Sequence, residues 1–456
     1  MRLVSVLVLA ACGGSSPPIA PLQPAVDTDP DGPNRATVAA HVQPLIDNEL
    51  ATSIVVGIYD DGKREIYGFG KGPDGKPPTG RTLFELASVT KIFTGLLLAD
   101  SVQRREVNLD TPVAELLPTG VTVPTRDKLA ITLRQLALHS SGLPPMPPSL
   151  RANPDNPYAA YREGNLYQDL IRTQLIYAPG ERMLYSEYGF GLLAHALGRK
   201  IGTGYAKALE DRIAKPLALK DTFFVVPKDA AARLAAGTNE DLAPAKPWTY
   251  DALAGTGGLI SSARDQLAVI EAEIDASLGS KGPLRPAMRL TQETQLERSG
   301  DNQGLGWMID SAGRYWQAGS TGGFHAFAGF DPKTRRGIVI LASTKTSLID
   351  STATALFRVL AKEDVKPPAF PEPAALATFA GTYDFQGMQL KMTVAGKRIY
   401  VEGPGEPRIR MMPISEKEFW IERLQSIVLF EREGDKVKRA IFLVGDKQLS
   451  APRIAD

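Results

Sequence analysis

The chain has 456 residues, a formal net charge of +1, one cysteine and four histidines. That length suits a globular protein with room for two domains, and the charge balance gives no basis for nucleic-acid binding. A single cysteine excludes an internal disulfide, and His41, His139, His195 and His325 form no HxH or HExxH pair, so neither a metal nor another cofactor is expected.

The first segment reads as a targeting signal. Arg2 precedes an apolar run, Leu3 to Ala11, too short to span a bilayer as a helix and ending in Leu9, Ala10, Ala11, Cys12. Those four residues look like a bacterial lipobox, which makes Cys12 the expected lipidated first residue and residues 1–12 a signal peptide. Residues 13–35, rich in Gly, Ser, Pro and Asp, read as a flexible tether. The protein is therefore expected outside the cytoplasm, lipid-anchored to a bacterial membrane on the periplasmic face of the outer membrane.

A first domain, 36–363, opens with an amphipathic helix carrying Val38, Val42, Leu45 and Ile46. A hairpin follows: strand 53–59, a turn at Asp60, Asp61 and Gly62, and strand 64–69. Next comes LFELASVTKIFTGLLLAD (83–100), where Ser88 and Lys91 are three residues apart on one helical face. A serine hydroxyl becomes a useful nucleophile when a neighbouring base takes its proton, and a partly buried amine whose pKa is lowered by desolvation can serve. Roughly one SxxK tetrapeptide is expected by chance in such a chain. Here Ile92, Phe93, Leu96, Leu97 and Leu98 would bury the helix and fix the serine.

Further on, LRQLALHSSGLP (133–144) predicts a short helix closing near His139, followed by a Pro-rich surface loop to about Tyr161. APGERMLYSEYGFGLLAHALGRKIG (178–202) places Tyr185 just before a helix. Ser262 and Asp265 predict a capping box for a helix burying Leu267, Ile270 and Ile274. Residues 304–344 read as adjacent strands with Gly-rich turns, and an amphipathic helix is expected from about 347 to 362. A Pro-rich linker (364–373) leads to 374–456, where Leu390, Met392 and Val394 alternate with Lys391 and Thr393, as in a small antiparallel barrel.

The order SVTK, YSE, QAGSTGGF resembles the three-element site of serine β-lactamases and penicillin-binding proteins, particularly class C β-lactamases and related DD-peptidases and esterases. The likeness extends over about 36–363, with support at LRQLALHSSGLP, Pro179–Gly180, GTGGLISSARD and GLGW. It implies an α+β fold: an antiparallel sheet flanked by helices, an all-helical insert, and the third motif on the sheet's edge strand. The C-terminal segment, with GTYDF and LSAPRIAD, resembles a lipocalin-like appendage whose role is open among shielding the cleft, self-association and binding wall material. By the same resemblance Ser88 is the nucleophile, Lys91 the amine that helps deprotonate it, and Tyr185 the general base or proton relay. The backbone N–H groups of Ser88 and Ser320 would form the oxyanion hole, and Glu187, Gln317, Gly319, Ser320 and Thr321 would contact substrate. His325 is expected as a strand residue near the cleft, since no GxSxG elbow partners a Ser-His triad.

Two positions depart from the family pattern. Glu187 replaces an asparagine that can donate to a substrate amide, whereas an ionised carboxylate only accepts and would favour a protonated Lys91. Gln317 replaces a lysine or histidine that helps hold a substrate carboxylate, a role open to Arg314. The expected activity is that of a serine hydrolase acting through an acyl-enzyme on D-alanyl cell-wall peptides or β-lactams, with weak β-lactam turnover. A carboxylesterase, and a penicillin-binding sensor or wall-binding lipoprotein with little turnover, are the alternatives. The only partners expected are a small-molecule or peptidoglycan-peptide substrate and the membrane.

Overall fold

The computed structural model of the chain describes residues 28–150, 153, 155–279 and 282–455. Cys12 and most of the expected tether lie outside them. The end of that tether is not free: Asp29 N donates to Ile66 O at 2.7 Å and its carboxylate accepts from Ile66 N at 3.0 Å. Composition hid this pairing because the open edge of the neighbouring strand, not the identity of the tether residues, supplies the partners.

Helix α1 (Arg35–Asp47) precedes strands β1 (Ser53–Asp60) and β2 (Lys63–Gly70). The hairpin turn is Asp61–Gly62, both at positive φ (46° and 91°), the backbone a two-residue turn needs. Strands β3 (Tyr315–Ser320), β4 (His325–Asp331) and β5 (Arg336–Ala342) complete an antiparallel sheet in the order β2-β1-β5-β4-β3. The two-residue strands Met308–Ile309 and Asn302–Gln303 extend it. The first of these pairs only Tyr315 and Trp316, so the sheet edge is open along residues 317–320.

The sheet is buried on both faces, as its continuous Val and Ile runs require. On one face Val38 and Val42 of α1 pack with Ile54, Val56, Ile338 and Ile340, joined by Ile349 and Leu356 of helix α5 (Leu348–Leu360). On the other lie helix α2 (Thr90–Gln103), helix α3 (Glu187–Ile201) and helix α4 (Ala263–Ser277). The capping box expected at α4 is half formed. Ser262 Oγ accepts Asp265 N–H, but the Asp265 carboxylate turns to Asp221 N and Thr222 Oγ1, partners brought from another segment.

Beyond the linker, eight antiparallel strands from Gly381–Phe385 to Lys447–Ala455 close into a barrel filled by Phe379, Tyr383, Phe419 and Phe430. Its Met412 joins the α1/α5 core, and the buried Arg410 donates to Glu240 O at 2.7 Å and Glu49 O at 2.8 Å. Burial lowers the Arg410 guanidinium to about 10.

Candidate active site

The apolar run after Lys91 does what its composition requires: every residue from Thr90 to Ser101 is buried, Lys91 included. The α2 segment is thereby fixed with Ser88 half-exposed at its start. Ala87 enters this turn at φ 47°, a conformation a side chain disfavours and which the surrounding packing must impose. Lys91 Nζ donates to Ser88 Oγ at 3.0 Å and to Thr256 O at 2.7 Å. A buried amine thus has two acceptors. The second comes from the GTGG segment, whose role in the chemistry the sequence did not reveal.

Tyr185 arrives from the helical insert, with its hydroxyl 2.9 Å from Ser88 Oγ. Lys91 Nζ lies 5.0 Å from the centre of its ring. A Lys91 ammonium donates to Ser88 Oγ, while between Ser88 and Tyr185 either hydroxyl can be the donor; when Ser88 donates, its hydrogen is directed at the Tyr185 oxygen. His139, expected only to close a helix, stacks on Tyr185 with ring centres 4.2 Å apart. Its Nδ1 accepts Ser186 N–H at 3.0 Å, which leaves any hydrogen of the neutral ring on Nε2. Burial first, and then the Lys91 charge, hold its pKa well below the ordinary value, so it is a neutral backing plate for the phenol. The signal for this residue was LALHSSGLP standing upstream of YSE; the stacking itself is a long-range contact that no local pattern encodes.

The third motif works through its backbone. Gly319 passes so close to Ser88 that an added Cβ would lie 2.6 Å from Ser88 Cβ and 2.7 Å from its N. Thr321 N–H bonds Phe324 O, closing the β3–β4 hairpin. Alternation of the antiparallel ladder then turns the N–H groups of Ser320 and Ala318 to the open edge. Ala318 N–H is taken by Gln317 Oε1 at 3.1 Å, while Gln317 Nε2 donates to Gly306 O at 3.1 Å. Gln317, expected to line the substrate groove, is therefore buried and spent on tying the strand to the GLGW segment. Thr321, also expected at substrate, is buried beside the Glu85 carboxyl, which desolvation raises to about 7. Strand register decides both outcomes, and a motif does not reveal which face of its strand is buried.

Glu187 accepts the hydroxyl of Tyr158 rather than pairing with Lys91. Tyr158 is buried and stacks on Tyr250 at 4.5 Å, with Trp248 at 5.6 Å. Arg314 is committed to Asp310 at 2.7 Å and lies over the Phe357 ring. It does not replace the missing cation at 317. Among the described residues, no group of three or more His, Cys, Asp or Glu side chains is arranged to hold a metal.

A serine hydrogen-bonded to a buried lysine and a tyrosine beside an open strand edge has the arrangement of a serine hydrolase site. The β-lactamase family model matches residues 38–362, and the chain belongs to that family. A β-lactamase of Pseudomonas fluorescens is 27% identical over 348 residues, 68% of this chain and 93% of that protein. The D-alanyl-D-alanine-carboxypeptidase/endopeptidase AmpH of Escherichia coli K12 is 27% identical over 311 residues, 64% of this chain and 80% of that protein. In fold, the chain resembles a class C β-lactamase with a TM-score of 0.63 at 21% identity, covering 74% of this chain and 99% of that one.

Proposed function

We propose that this serine hydrolase cleaves D-alanyl peptides of the cell wall through a Ser88 acyl-enzyme, and that it turns over β-lactams weakly. The carrying observation is the hydrogen-bonded series Lys91–Ser88–Tyr185, at 3.0 and 2.9 Å, set against a strand edge that is open along 317–320. Ser88 Oγ attacks the substrate carbonyl as its proton passes to Tyr185 in its phenolate form, which has the free lone pair to take it and becomes the phenol. The tetrahedral oxyanion is received by the N–H groups of Ser88 and Ser320. Tyr185 returns the proton to the leaving amine, and water then releases the acyl group by the same relay. An extended peptide can lie along this edge and donate to the outward carbonyl of Ala318, whose N–H is already taken by Gln317. The spent amide of Gln317 offers no cation to the carboxylate of a β-lactam or of a terminal D-alanine, which supports weak lactam turnover and slow release of free D-alanine.

The same lack of a cation supports a second reading, a carboxylesterase for uncharged acyl groups. Three substrates separate the possibilities: a D-Ala-D-Ala peptide, a penicillin and a p-nitrophenyl ester, followed by turnover and by intact-protein mass spectrometry. Release of D-alanine, abolished in Ser88→Ala, is the expected result. Prompt ester release without peptide turnover or a penicillin adduct would replace it with the esterase. A lasting penicillin adduct without turnover would indicate a sensor. In the same proposal Cys12 carries the lipid that holds the enzyme outside the cytoplasm; Cys12→Ser is expected to leave the membrane fraction.

A further inference from the structure

Adjacent side chains on a strand point to opposite faces. The missing side chain of Gly319 faces Ser88, so that of Ser320 faces away, toward α5. There it meets a line of polar groups set into an otherwise apolar layer. Ser320 Oγ lies 2.6 Å from His325 Nδ1, and His325 Nε2 lies 2.7 Å from Asp350 Oδ1, in the first turn of α5. His325 is 3% exposed. At the start of the same helix, the barrel residue Glu422 accepts from Ser347 N at 3.3 Å and Ser347 Oγ at 2.7 Å, and from Trp420 Nε1 at 2.8 Å.

We propose that His325 is a positioning residue for acyl transfer: bridging Asp350 to Ser320, it fixes from behind the peptide whose N–H receives the oxyanion. The barrel's Glu422 anchors the far end of this bridge by holding the start of α5. This rests on the role given above to the Ser320 N–H.

The chemistry of the bridge has a definite polarity. A carboxylate only accepts, so His325 Nε2 carries hydrogen in either charge state. In the neutral ring Nδ1 accepts from the Ser320 hydroxyl; in the imidazolium Nδ1–H donates to Ser320 Oγ. The protonated form also places a positive charge behind the oxyanion donor, and so favours the transition state. Burial alone would lower the His325 pKa, but the Asp350 carboxylate, both by charge and by hydrogen bond, and then Glu422 outweigh it and raise the value. Asp350 from α5 and Glu422 from the barrel are the charged groups acting on the ring. A buried polar bridge of this kind, in either charge state, costs desolvation that an apolar residue at 325 would not, so a purely packing role does not account for it.

The pH dependence of kcat and KM on the nitrophenyl ester tests the bridge, with melting temperatures as the check on folding. His325→Leu is expected to lower kcat about tenfold or more with KM little changed, and to remove an inflection through which the wild-type rate falls as pH rises past the raised His325 value. Asp350→Asn and Glu422→Gln should move that inflection to lower pH, since each removes a carboxylate that favours the imidazolium. Should His325→Leu fail to fold, Ser320→Ala is decisive: it keeps the N–H and deletes only the bridging oxygen, and should reproduce the loss in kcat. Wild-type kcat and an unmoved inflection in a folded variant would overturn the bridge. Activity surviving in Ser88→Ala would instead overturn the acyl-enzyme reading beneath it.

Discussion

The two walls of the cleft would serve the proposed acyl transfer by different means. On the helical wall the working atoms belong to side chains: Ser88 Oγ, Lys91 Nζ and the Tyr185 hydroxyl, with Lys91 buried and Tyr185 41% exposed at the rim. On the strand wall the side chains of Gln317 and Thr321 are withdrawn into the protein, that of Ser320 faces the rear, and Gly319 has none. What remains is backbone. A wall made of side chains is sensitive to the deletion of functional groups, whereas a wall made of backbone is sensitive to anything that shifts it.

The largest effect should therefore come from the helical wall. Lys91→Met keeps the stem in its apolar slot but removes the donor to Ser88 Oγ and Thr256 O. Acylation by a nitrophenyl ester, followed in a single turnover, should fall on the order of 10³-fold while the protein still melts cooperatively. A loss of less than about tenfold would show that Tyr185 suffices without the amine.

Gly319→Ala should come next. Its new methyl meets Ser88 Cβ at 2.6 Å, and relief requires the strand to move away from the nucleophile. A rate loss of about 10²-fold is expected from displacement alone. Thr321→Val makes the opposite case on the same wall: its hydroxyl is sealed from the groove, so KM for ester and peptide should change by less than about twofold. A large rise in KM for the peptide would mean that the hydroxyl reaches substrate after all, and the contrast between the walls would fail.

This contrast also sorts what the sequence could reveal. The contact of Ser88 with Lys91 was legible because the two lie three residues apart, about one helical turn, where spacing dictates geometry. Tyr185 was legible only through the order of the three segments, and His139 behind it was not, because stacking across the fold leaves no local pattern. For the strand wall the sequence located the segment but did not reveal that the side chains of Gln317 and Thr321 are buried. Their orientation depends on register and on Gly306 and Glu85, contributed by other parts of the chain. In the C-terminal domain the alternation of Leu390 and Met392 with Lys391 showed which face is buried. Barrel closure, and the docking of Arg410 onto Glu49 and Glu240, depend on pairings between distant segments.

The smallest effect separates catalysis from stability through a pair of buried carboxyls, Glu85 and Glu273. Glu85 stands beside Thr321 at the site, whereas Glu273 lies on the buried face of α4, where Gln292 Nε2 donates to it at 2.6 Å. Burial raises Glu273 from 4.5 to about 8. A raised carboxyl binds more protons in the folded chain than in the unfolded one. Its contribution is then complete below about pH 4.5 and is lost as pH rises through about 8. Glu273→Gln keeps an acceptor for Gln292 but cannot ionise, so the variant should escape a loss on the order of a few kcal/mol across that window. Melting curves between pH 5 and 8.5 would show this as a flatter profile than wild type, with the rate of acylation unaltered at each pH. Parallel profiles for the two proteins would mean that Glu273 is not protonated in the folded state. A parallel change in acylation would mean that the two carboxyls are coupled through the body of the domain.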